Sequence, residues 1–433
     1  MNPRMLWAVA ALGGCCCSLN GADDADWNQF RGPRGDGQST ATKLPIRFSE
    51  NSPEIVWKIP LPGRAWSSPV IWGQQVWLTN SPELQNPTDE QPKPDQPLQM
   101  SAICVDLETG KIIHDLVVFQ VEEPQYTHPT NSYASSTPYV ESGRIYLHYG
   151  VYGTACVDTR TAKILWKRDD LPCNHFRGPG SSVAVYGDLL YITMDGYDEQ
   201  YIAALDKRTG ETVWKRNRDI DYETDNGDAK KAYSTPTLIS VAGQDQLISP
   251  FAMATIAYHP LTGETLWTVR HGGMNAAARP LFGNGLVYLN SSDGPKPMLA
   301  IRPEGAGDLS NNIVWRTDKS VARRSSPLLV GELLFMINDN GVASCVDALT
   351  GETLWSKRFG GDYWASPIYA NGLIYCCSQT GSIPVFKASR ELELVAENQL
   401  DGGFNASPAV AGQSLLLRSI THLYRIETPS QSP

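Results

Sequence analysis

The chain has 433 residues and a formal net charge of −10, with 41% hydrophobic and 19% charged residues. That composition is ordinary for a globular protein. An acidic balance without a basic tract argues against nucleic acid as a partner, because neutralising phosphate needs clustered Lys and Arg.

Residues 1–22 read as an export signal. Arg4 precedes the apolar run MLWAVAALGG, which is too short to span a bilayer and is followed by small residues. No other stretch approaches a membrane span. Leu12–Cys15, LGGC, resembles the processing box of bacterial lipoproteins, which would leave Cys15 as a lipidated N-terminus; plain cleavage near Ala22 is the competing route.

Downstream, two markers recur. LTGETLW is written at Leu261–Trp267 and again at Leu349–Trp355, with weaker copies at Glu108–His114, Arg160–Trp166 and Arg208–Trp214 and a remnant, NNIVW, ending at Trp315. The second marker, small residues followed by Pro, ends at Pro69, Pro138, Pro236, Pro280, Pro327, Pro367 and Pro408, and GSSV ending at Val183 fills the gap. A period of roughly 40–50 residues signals a repeat architecture. Eight units then occupy 27–430 as one domain, against the two or three domains that length alone suggests.

One unit shows the plan. In Ser325–Trp355, PLLV, LLFMI, VASCVD and ETLW are short strand-like runs separated by turn clusters, and no segment sustains a helical period. Four antiparallel strands, eight times over, describe an all-β, eight-bladed β-propeller. The last unit offers only three strands after Pro408. Its missing Trp strand is EIVWKI (Glu54–Ile59), so an N-terminal strand closes the ring.

The motif residues then have structural roles. Asp347, like Asp106, Asp158 and Asp206, bonds the backbone of its own turn; His259 replaces it in the fourth unit. Gly351, like Gly110, Gly210 and Gly263, supplies a left-handed residue. Trp355, like Trp57, Trp166, Trp214, Trp267 and Trp315, buries its ring against the neighbouring blade. A catalytic residue is not expected at several equivalent outer turns. Cys104, Cys156 and Cys345 occupy one equivalent position and read as small buried residues, not as a disulfide framework.

If the strand after each small-residue marker is innermost, tight turns fall on one face and long connections on the other. The long ones are 81–99, 120–134, 216–232 and 291–297. The residues at the channel mouth are then Trp66, Ser135, Gly180, Tyr233, Ala277, Arg324, Trp364 and Asn405. Of these, Trp66, Tyr233, Arg324, Trp364 and Asn405 form a candidate ligand site. Aromatics with an Arg can sandwich a planar anionic cofactor, or they can plug the channel or meet a protein.

Other features carry weaker signals. Asp219–Asp228 is acidic, but Gly227 stands one place late for a calcium loop and Ala232 holds the position of its final Glu, so it reads as solvated. His128, His175 and His271 lie in different loops without metal-ligand spacing. FRGPRGDG and its echo Phe176–Gly180 lack the Lys-Ser/Thr of a phosphate loop and read as turns.

The pattern [A/C]-x-D-x-x-T-G-x-x-x-W followed by S-S-P resembles the pyrroloquinoline-quinone (PQQ) type propeller repeat, and Trp27–Gly37 is similar to the lead-in of secreted bacterial members. The resemblance implies one of two roles. One branch comprises quinoprotein dehydrogenases holding PQQ and calcium at the axis. The other is non-enzymatic and includes the propeller lipoprotein of the outer-membrane β-barrel assembly machinery. Some quinoprotein alcohol dehydrogenases carry a vicinal disulfide, which draws attention to Cys376-Cys377; their places on a strand, where neighbours point apart, favour ordinary packing. The chain is short for the dehydrogenase branch, and neither calcium carboxylates nor a catalytic Asp falls on defined positions. The expectation is an exported monomeric scaffold, without cofactor or metal, binding a protein partner in the periplasm or cell envelope. A PQQ-dependent dehydrogenase and a glycan-binding propeller are the alternatives.

Overall fold

The computed structural model describes residues 26–81, 97–294 and 297–429 and sorts their strands into eight sheets. The leader and Cys15 lie outside the described residues. Four antiparallel strands make each blade: 70–121, 139–168, 184–217, 237–270, 281–317, 328–358 and 368–399 form blades 1 to 7. Blade 8 takes three strands from 409–426 and its fourth, Ile55–Pro60, from the N-terminal end. Trp57 pairs with Arg425 and Ile59 with Leu423, as the inferred closure requires. The innermost strand of blade 1, Val70–Trp72, lies against those of blades 2 and 8, so the wheel is shut. The described residues contain only two short 3-10 turns, at Gly227–Lys230 and Ser310–Asn312.

The outer seam shows why Gly and Trp recur together. Trp57, Trp166, Trp214 and Trp315 each donate Nε1–H to a carbonyl in the next blade's turn, those of Leu107, Lys207, Pro260 and Ala348, at 2.8–3.0 Å. Each indole also lies over the Gly of that turn. A Cβ on Gly110, Gly210, Gly263 or Gly351 would approach the ring to 3.0, 2.6, 2.7 or 2.8 Å. The Asp braces the turn: Asp106 Oδ1 accepts from Thr109 N at 2.8 Å and Oγ1 at 2.7 Å, and Asp158, Asp206 and Asp347 do likewise with their Thr amides. Bonds from Thr109 and Thr161 hold the Asp106 and Asp158 carboxyls below their usual range.

Exceptions follow the same steric logic. Blade 1 has His114 and blade 7 Ala396 where the other six have Trp; His114 stacks on Trp77 at 5.8 Å, and the corresponding turn of blade 2 has Ala162 in place of Gly. Blade 5 lacks the turn, so Trp267 bonds Gln246 of its own blade at 2.8 Å, and Gly307–Asp308 adds a parallel strand beside it. Trp355 bonds Ser389 O at 3.1 Å in a turn of different sequence. The described cysteines are buried and unpaired; Cys376 and Cys377 follow the strand Leu373–Tyr375 and pack into different hydrophobic clusters.

The inner seam explains the small-residue marker. The residue before each strand-opening Pro donates its amide to the hydroxyl of its counterpart in the next blade. Ser68 bonds Thr137, Thr137 bonds Ser182, and Ser182 bonds Thr235, at 2.9–3.0 Å. Arg279 bonds Ser326, which bonds Ser366, which bonds Ser407, which returns to Ser68. The belt is broken only between blades 4 and 5, where Arg279 offers no hydroxyl. Each bond contributes about 1 kcal/mol net.

The lead-in crosses the underside of the axis. Trp27 O and Asn28 O accept from Ile71 N and Val140 N at 2.9 Å, and buried Arg31 donates to Ser326 O at 3.2 Å and Pro327 O at 2.7 Å. FRGPRGDG does turn, with Arg31, Gly32, Gly35 and Gly37 at positive φ. It also acts as a stopper, which the sequence reading did not anticipate.

The Trp–Gly seam can be tested with paired alanines. Gly351 (φ 76°) and Gly412 (φ 57°) are both left-handed, but a Cβ meets Trp315 at 2.8 Å in the first and nothing within 4 Å in the second. Gly351→Ala should lose about 1–3 kcal/mol more than Gly412→Ala in urea unfolding. Equal losses would refute the interlock.

Candidate functional site

Eight strand lead-ins converge at the top of the axis. Trp66, Ser135, Gly180, Tyr233, Ala277, Arg324, Trp364 and Asn405 all line one cavity of about 280 Å³. Phe30 of the lead-in lines it too, and so do the belt residues Ser68, Thr137, Ser182, Thr235, Ser366 and Ser407. The mouth is therefore backed by a ring of hydroxyls. His128, Thr130 and Asn131 come from the 120–134 connection, and Ser292 and Asp293 from the 291–297 connection. The segment 82–96 lies outside the described residues.

Three guanidiniums, Arg177, Arg323 and Arg324, face one lining carboxylate, Asp293. Each acid near them is bonded to a cation: Asp293 to Arg323, Asp339 to Arg324, and Asp228 to Arg177 at 3.1 Å and Lys231 at 2.5 Å. Burial pushes the Asp228 carboxyl up, but bonds and charge from Lys231 and Arg177 outweigh it and hold it below its usual range. Burial lowers the Lys231 ammonium, a fall that Asp228 only partly offsets. His128 is pushed down by desolvation and then by Arg177, Arg324 and Lys231. Burial raises the Tyr233 phenol.

The aromatic sandwich takes a different form from the one expected. The Arg324 guanidinium lies 4.1 Å from the Trp364 ring centroid and that of Arg64 4.9 Å from Trp66. One face of each indole thus carries a cation already. Asn405 accepts from Gln379 at 2.5 Å.

Sequence reading missed the rim cations Arg64, Arg177, Lys231 and Arg323. All four stand within three positions upstream of a mouth residue, a proximity visible in the chain but without the regular spacing that draws notice. Asp228 belongs to the acidic loop read as solvated, and its carboxylate turns back to the mouth cations instead.

The comparisons with known proteins point to the same architecture. The family described as "Outer membrane protein assembly factor BamB" matches residues 198–432. The chain belongs to this family of PQQ-like propellers. The outer membrane protein assembly factor BamB of Yersinia pestis is 21% identical over 194 residues, 42% of this chain. The match spans about half of that relative's length, 48%. Among solved structures, BamB from Moraxella catarrhalis aligns with a TM-score of 0.57 at 12% identity, covering 86% of this chain and 99% of that one. A europium-containing methanol dehydrogenase aligns at 0.64 and 11%, covering 92% and 91%. The quinohemoprotein alcohol dehydrogenase of Comamonas testosteroni aligns at 0.63 and 10%, covering 94% and 82%. Structural likeness at such low identity speaks for the fold alone.

Two of the three loop histidines of this BamB-family chain are buried parts of the fold. His175 Nε2 accepts from Val151 N at 3.0 Å, and His271 Nδ1 donates to Gly272 O at 2.7 Å. Desolvation pushes both down to about 4, and His148, beside Thr154, to about 3. The fold refuses protons that the unfolded chain accepts below its ordinary pKa near 6.5, so stability falls as pH drops through that value. Each should cost about 2 kcal/mol by pH 5 relative to neutral pH. Urea unfolding at pH 7.5 and 5 should show the drop, and His271→Gln should flatten it. An unchanged slope in that variant would contradict the assignment.

Proposed function

We propose that this chain is an exported, non-catalytic propeller that binds a protein partner at the cell envelope through the loop-bearing mouth of its axis. The observation that carries this reading is the state of the mouth carboxylates. Asp228, Asp293 and Asp339 are each held by an Arg or Lys, and no group of three or more His, Cys, Asp or Glu suited to a metal occurs among the described residues. A calcium-bound quinone needs carboxylates free to coordinate. The residues here do not fit that group. What they do supply is a rigid, charged rim around a cavity, suited to recognition. Family membership supports the same reading, since the family is described by an assembly factor.

Photo-cross-linking tests it. A cross-linking residue at Thr130, exposed on the mouth face, should capture a defined envelope protein in living cells. One at Asp188, in a tight turn on the other face, should not. Equal labelling from both faces would remove the mouth from the proposal. Added PQQ and calcium should elicit no dye-linked oxidation of alcohols or sugars; saturable turnover would overturn the non-catalytic reading.

A further inference from the structure

The ring of hydroxyls behind the mouth has an unused capacity. Ser68, Thr137, Ser182, Thr235, Ser366 and Ser407 are nearly fully buried, and each oxygen accepts a backbone amide from the preceding blade. Among the described residues, none of these six hydroxyls donates a hydrogen bond. Their protons are left for whatever enters the cavity they line. A hydroxyl that accepts from an amide is polarised into a better donor. The cavity thus presents converging donors to an occupant rich in acceptors.

The charge around the belt has the same sign. Arg31, Arg279 and Arg418 are buried beside it, and none is hydrogen-bonded to a carboxylate. Arg418 binds Ser67 O, Thr79 O and Asn80 Oδ1; Arg279 binds Phe30 O and Gln29 Oε1; Arg31 binds carbonyls alone. Desolvation lowers them to about 9, 10 and 9, which leaves all three charged at neutral pH. Above them stand Arg177, Arg323 and Arg324. The Nε–H groups of Arg177 and Arg323 are out of contact with solvent and have no acceptor among the described residues. Burying a cation is costly; Asp36 offsets part of that cost for Arg31 and Arg279, and a further anion above the belt would add to the same favourable field.

We infer that the axial mouth takes an acidic peptide segment of the partner, whose carboxylates reach down between the rim arginines toward the hydroxyl belt. This rests on the scaffold reading above. Cations stand both beside the belt and at the rim, so a ligand with several carboxylates can meet more of them than one with a single carboxylate. Guanidiniums already lie on Trp66 and Trp364, so these indoles offer a sugar ring at most one face each. The chain as a whole carries a net −10, so these cations stand in a body of opposite sign.

The test is fluorescence anisotropy on the full chain. The probes are a fluorescein-labelled decapeptide of alternating Glu and Gly, its Gln counterpart, and a labelled tetragalacturonate; free citrate serves as competitor. The Glu peptide should bind and weaken with added salt, while the Gln peptide should not bind. Arg324→Gln and Arg177→Gln should each raise Kd about tenfold, with Arg324→Lys between wild type and Arg324→Gln. Arg390→Gln, on the opposite face, should change nothing, and circular dichroism should confirm that all variants fold. Binding of the Gln peptide, tighter binding of the galacturonate, full displacement by equimolar citrate, or indifference to both arginine changes would each overturn the inference. A partner cross-linked from Thr130 in cells, with no binding of the Glu peptide, would sink this inference and leave the scaffold reading standing.

Discussion

Everything at the axis depends on the pairing of Ile55–Pro60 with His422–Ile426. A blade buries both faces only when it has neighbours on both sides, so an open array would leave two blades half-solvated. Closure joins the two seams. On the outside, Trp57 and Arg425, paired across the closing strands, both donate to Leu107 O in blade 1, at 2.9 Å. On the inside, Ser407 completes the belt through Ser68 at 3.0 Å. Without that step Asn405 and Trp66 would belong to separate ends of the chain, and there would be no mouth for them to share.

The irregular fifth blade and the N-terminal lead-in are best understood as one device. Arg279 replaces a belt hydroxyl there, which breaks the ring and places a cation in its interior. The lead-in passes beneath that gap: Phe30 O receives Arg279, and Arg31 binds the carbonyls of Ser326 and Pro327 in the following blade. The segment that lies outside the repeat in sequence thus fills the interruption in space. Its Phe30 lines the same cavity as the mouth residues, so the lead-in reaches into the channel.

How much of this was legible in the chain follows from which contacts repeat. The wheel, its count and its closure could be read because Gly and Trp require one another across a seam. Gly263 under Trp214 and Ala162 opposite His114 show the requirement kept and relaxed together. The eight mouth positions could be read because each precedes an innermost strand by a fixed step. The rim charge could not. Arg177 and Lys231 reach the axis from irregular connections, where no period links position to direction, and Asp228 looked like one acid among many until its neighbours were placed. The lead-in occurs once, so repetition could say nothing about where Arg31 would be buried.

The electrostatics of the mouth follow from which of its polar groups are already partnered. A catalytic carboxylate must be free to take a proton or a metal, and its strength lies in being incompletely satisfied. Here the carboxylates near the axis are paired with guanidinium and ammonium groups, and the incompletely satisfied groups are mostly donors, the belt hydroxyls and the Nε–H of Arg177 and Arg323, beside the Asn275 amide oxygen. Donors held rigidly by a closed ring can bind an acceptor without reorganising, which lowers the entropic cost of association. The asymmetry of donors over acceptors makes the mouth selective for anions. Its setting in an acidic body confines that selectivity to one place on the surface.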